Sequence, residues 1–109
     1  MPTYLITNRV PADFRPSGDA FAAWTAWFEE LGPHLQDRGN PAFARTTLGN
    51  CGPNSLLGGY TLINANDLQA AVGLARSHPL MRLGGGVEIG ELTPINAGRE
   101  LLVDHTHAE

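Results

Sequence analysis

A chain of 109 residues, 42% hydrophobic and 17% charged, has the composition of one ordinary folded domain rather than a disordered polymer. A net charge of −4, with no lysine and seven arginines scattered from Arg9 to Arg99, argues against nucleic acid, because phosphate backbones are held by clustered cations. No run approaches the roughly 18 apolar residues of a membrane helix, no signal peptide is apparent, and one cysteine rules out an internal disulfide and suits a cytoplasmic setting.

In chain order, Thr3, Tyr4, Leu5, Ile6 and Thr7 form a β-prone run that reads as the first strand, with both faces at least partly covered. Pro16 and Gly18 punctuate the loop that follows. Ser17 or Asp19 can cap the next helix, on which Phe21, Trp24, Phe28 and Leu31 recur at helical spacing and Trp27 widens the stripe. Glu29 and Glu30 are disfavoured by the dipole at a helix end. This suggests a kink at Gly32 and Pro33 and a further turn reaching Gly39. Residues 44–48, Ala-Arg-Thr-Thr-Leu, are expected as the second strand, and a turn-rich connection leads on to Leu57.

The strongest pattern runs from Gly58 to Leu92. Residues 60–64 suit a half-buried strand, and Asn66 is the expected cap of a second helix whose Leu68, Ala71, Val72 and Ala75 share one face. Pro79 stops that helix, since its ring disfavours a helical conformation at His78. After the turn at Gly84, Gly85 and Gly86, Val87 and Ile89 lie on one face of a strand and Glu88 on the other. The glycine triplet precedes a strand and lacks a following Lys-Ser or Lys-Thr, so it is a turn and not a phosphate loop.

The order of these motifs, a Gly52-Pro53 turn, Leu57-Gly58-Gly59-Tyr60, a helix ending Arg76-Ser77-His78-Pro79, and Val87-Glu88-Ile89-Gly90-Glu91, resembles the DGPF-like branch of the YCII-related family. The likeness covers about the last two-thirds of the chain, up to Pro94. It implies an α+β, ferredoxin-like βαββαβ subunit whose sheet packs on a second copy as a dimeric α/β barrel. Residues 1–109 would then be a single domain with 95–109 as a C-terminal extension. The better-understood members resemble enzymes with a His–Asp pair. Here Trp24 and Trp27 stand where that histidine would be expected on the first helix, and Cys51 replaces the aspartate of the turn. DGPF-like proteins are also associated with alternative sigma factors, which implies a regulatory partner as a further possibility.

Each candidate residue has a structural alternative. Glu88 faces away from Val87 and Ile89; in a barrel interior it would serve as a general acid or base, and otherwise it would pair with an arginine such as Arg45, Arg82 or Arg99 or occupy a solvated edge position. His78 is a second catalytic candidate, although capping the end of the second helix accounts for it more simply. Tyr60, Leu62, Arg45 and Cys51 are the expected ligand-binding residues; Cys51 lacks an evident activating base and reads as an inert thiol. Trp24 and Trp27 are expected to pack the first helix on the sheet rather than form an aromatic platform. His105 and His107 could share a face on an extended tail, but two ligands do not make a tight metal site, so neither metal nor cofactor is expected. The expected function is small-molecule binding at a homodimer cavity. The alternative is a cofactor-free lyase, isomerase or oxygenase using Glu88 or His78.

Overall fold

A computed structural model describes residues 1–52 and 55–95 of the chain. The fold is α+β and ferredoxin-like: four antiparallel strands in the order β2-β3-β1-β4, with two helices. The expected turns at Pro53 and at residues 96–98, the apolar run 101–103, the His105–His107 tail and all of the extension except Ile95 lie outside the described residues.

β1 (Thr3–Pro11) alternates strictly, with Tyr4, Ile6, Asn8 and Val10 buried under the helices and the intervening residues facing outward. It pairs with β3 (Ser55–Asn64) on one side and β4 (Gly86–Leu92) on the other. Ser17 caps α1 (Gly18–Leu31), its hydroxyl accepting the Ala20 N–H at 3.1 Å. The apolar stripe of α1 splits in two. Trp27 and Leu31 enter the core beside Tyr4, Ile6 and Ile63, whereas Phe21 remains 75% exposed on the side facing residues 38–45. Trp27 also donates its indole N–H to the Leu74 carbonyl at 3.2 Å, tying α1 to α2 (Leu68–Ala75).

The second strand differs from expectation. Gly32, at φ 55°, ends α1 with its N–H on the Glu29 and Phe28 carbonyls; one 3₁₀ turn (Gly32–His34) follows, and β2 is Leu35–Asp37. No further helical turn reaches Gly39, and residues 44–48 are irregular. The β-propensity of Thr46 and Thr47 is overridden because the free edge of β3 is taken by Leu35 and Asp37, opposite Ile63 and Leu62. The cap of α2 is Asp67 instead of Asn66, its carboxylate accepting the Ala70 N–H at 2.8 Å. In β4, Val87 and Ile89 pack on the core and Glu88 faces the other way, as the alternation requires. Among the described residues, no helix is long and apolar enough to cross a membrane.

Candidate functional site

The sheet edge beyond β2 builds the site. Residues 39–42 run antiparallel to β3, with Tyr60 N–H donating to the Asn40 carbonyl and Ala42 N–H to the Gly58 carbonyl, at 3.3 and 3.1 Å. Two glycines permit this approach. A Cβ on Gly39 would lie 1.7 Å from the Tyr60 carbonyl oxygen, and one on Gly59 2.6 Å from that of Asn40; both backbones have positive φ, 73° and 145°. The strap so formed stands off from α1 and borders a half-open cavity of about 410 Å³ between the helix and the sheet.

Six aromatic residues, Phe14, Phe21, Trp24, Phe28, Phe43 and Tyr60, line this cavity. Arg38 and Arg45 line it as well; the Arg38 guanidinium lies 5.4 Å from the Phe28 ring centre, and Arg45 donates to the Ala42 carbonyl. Asn8 lines it too, 95% buried in an otherwise apolar row of β1. The amide nitrogen of Asn8 lies 3.4 Å from His78 Nε2, while its Oδ1 is buried without a hydrogen-bond partner. The volume and the mixture of aromatic walls with a few polar groups match the ordinary dimensions of small-molecule sites.

His78 stands behind Asn8. It is 1% exposed, and its ring centre is 4.6 Å from Trp27 and 5.3 Å from Trp24, both edge-on. Its Nδ1 accepts the Leu80 N–H at 3.1 Å, capping the turn after Pro79 rather than the carbonyls at the end of α2. Burial pushes its pKa down to about 4, so the ring is neutral, not the imidazolium favoured at a helix C-terminus.

Of the residues singled out in the sequence, Tyr60 and Arg45 border this cavity. Leu62 and Glu88 lie on the opposite, outward face of the sheet, where Thr7 sits between Tyr60 and Glu88 in register and Leu62 pairs with Leu5. Glu88 is exposed there. A second, shallower hollow of about 340 Å³ lies on that face, bordered by Leu5, Thr7, Leu57 and Tyr60. Cys51 is exposed away from both, and its carbonyl accepts from Arg9 at 2.7 Å. Asn8 was not among the expected residues; its signal was the alternation of β1 continued past Thr7, which puts a polar side chain on a buried face. Among the described residues, no group of three or more metal-ligating side chains occurs.

No protein-family model and no curated protein matches this chain. Among solved structures it is similar to 5-chloro-2-hydroxyhydroquinone dehydrochlorinase (TftG) from Burkholderia phenoliruptrix AC1100, in a complex with 2,5-dihydroxybenzoquinone. The TM-score is 0.56 at 18% identity, over 84% of this chain and 93% of that one. The likeness is one of fold. It agrees with the ferredoxin-like topology read from the strand order.

Proposed function

We propose that this protein binds a small molecule in the cavity between α1 and the strap at residues 39–42. The observation that carries this reading is an aromatic-lined cavity of small-molecule size between α1 and the strap. The structural neighbour in complex with 2,5-dihydroxybenzoquinone supports the idea that this fold can house a small planar ring.

A homodimer of the YCII-related, DGPF-like kind, acting in the cytoplasm, belongs to the same proposal. The outward sheet face carries Leu5, Leu57, Tyr60, Leu62 and Leu92, with Leu57, Tyr60 and Leu92 from 36% to 45% exposed, an apolar surface that a second copy would cover. The Asn8 cavity lies on the helix side and does not need that partner for its walls.

The test is retention of a ligand. Protein purified from cells and then denatured should release a small molecule detectable by mass spectrometry. A Thr25→Phe variant, which fills the cavity from α1, should release none. Identical release from the two proteins would sink the cavity as the binding site.

A further inference from the structure

The contact between Asn8 and His78 fixes the sense of the Asn8 amide. A neutral imidazole carries one proton, and Nδ1 is occupied in accepting from Leu80, so the proton is on Nε2. Nε2–H can only donate, yet the atom facing it at 3.4 Å is the amide nitrogen of Asn8, also a donor. Turning the Asn8 carboxamide over resolves the clash and places Oδ1 where it accepts from Nε2–H. The nitrogen then takes the second amide position, packed against Gly58. No protein donor reaches that position, as expected where an N–H2 group sits.

The charged groups of the cavity lean one way. Arg38 and Arg45, both exposed, are among its lining residues and offer guanidinium groups. Among the described residues, no aspartate or glutamate lines the cavity, although the chain as a whole is acidic at −4. Six aromatic residues line it, of which Phe21 and Phe43 are largely exposed.

Resting on the small-molecule reading above, we infer that the cavity takes a flat aromatic carboxylate, its anionic end on Arg38 and Arg45. The rings hold the body of the molecule by stacking and apolar contact. The arginines select the charge with bidentate, charge-assisted hydrogen bonds.

The probes are 6-hydroxy-2-naphthoate and its uncharged carboxamide, titrated calorimetrically into the intact protein. The carboxylate should bind at least about tenfold tighter than the carboxamide, the size of a charge-assisted hydrogen bond. Arg45→Gln should weaken the carboxylate more than the carboxamide and so remove most of that difference. Equal affinities, or an equal loss for both probes in Arg45→Gln, would overturn the anion preference and leave the cavity reading standing. Failure of the carboxylate to bind below about 1 mM also overturns it. The cavity itself is judged separately, by the release comparison with Thr25→Phe.

Discussion

The side chains of Asn8 and His78, 70 residues apart in sequence, meet 3.4 Å apart at the centre of the molecule, one on β1 and the other at the turn following α2. His78 is held on its far side by the Leu80 N–H and packs in T-shaped contacts with Trp24 and Trp27. It is a neutral donor built into the core. Asn8 is the polar group through which that core meets the cavity.

Acid should weaken the fold through His78. Its folded pKa of about 4 lies below the ordinary value of 6.5, so the unfolded chain binds the proton more readily. The stability linked to His78 is fully present above about pH 6.5 and is lost as pH falls toward 4, by up to roughly 3 kcal/mol. Thermal melts across that range should show a steeper fall for the wild type than for His78→Asn. Asparagine keeps an acceptor for Leu80 N–H but does not titrate. Parallel curves would show that the imidazole is not the source.

Asn8→Ala should lower stability by about 1–3 kcal/mol in urea unfolding, because the Nε2–H of His78 loses its acceptor in a buried site. Combined with His78→Asn, the loss should fall short of the sum of the single losses by at least about 0.5 kcal/mol, as for groups in contact. Strict additivity would mean that the two side chains do not interact.

Gly39→Ala should detach the strap. The added Cβ would meet the Tyr60 carbonyl oxygen, and the positive φ adds strain of about 1–3 kcal/mol. Hydrogen exchange at the Ala42 and Tyr60 amides, both bonded across the strap, should accelerate while the Tyr4 and Ile6 amides of β1 stay protected. Unchanged exchange at Ala42 would show that the close approach tolerates a methyl group.

Leu5 lies at the middle of the outward face, between Leu62 and Gly90 in register. Leu5→Glu should leave the helix content seen by circular dichroism unaltered and convert a homodimer into a monomer in sedimentation equilibrium, because a carboxylate cannot be buried there without a partner. A wild type that already sediments as a monomer at micromolar concentration would remove the homodimer proposal.

Local chemistry determined a good deal by itself. The alternation of β1, the Ser17 cap, the stop at Pro79 and the opposite facing of Glu88 and Val87 all follow from neighbours within a few residues, where side-chain period and capping act. Only the tertiary structure decided that Leu35 and Asp37, not the threonines at 46 and 47, complete the sheet, because edge pairing depends on where Gly32 sends the chain after α1. It also decided which aromatic residues of α1 pack in the core and which face a cavity, since helical spacing marks an apolar stripe without saying what stands opposite it. The meeting of Asn8 with His78 is the clearest case. A hydrogen bond is made by atoms a few ångströms apart, and when they belong to segments 70 residues apart, only the packing of β1 under two helices can bring them together.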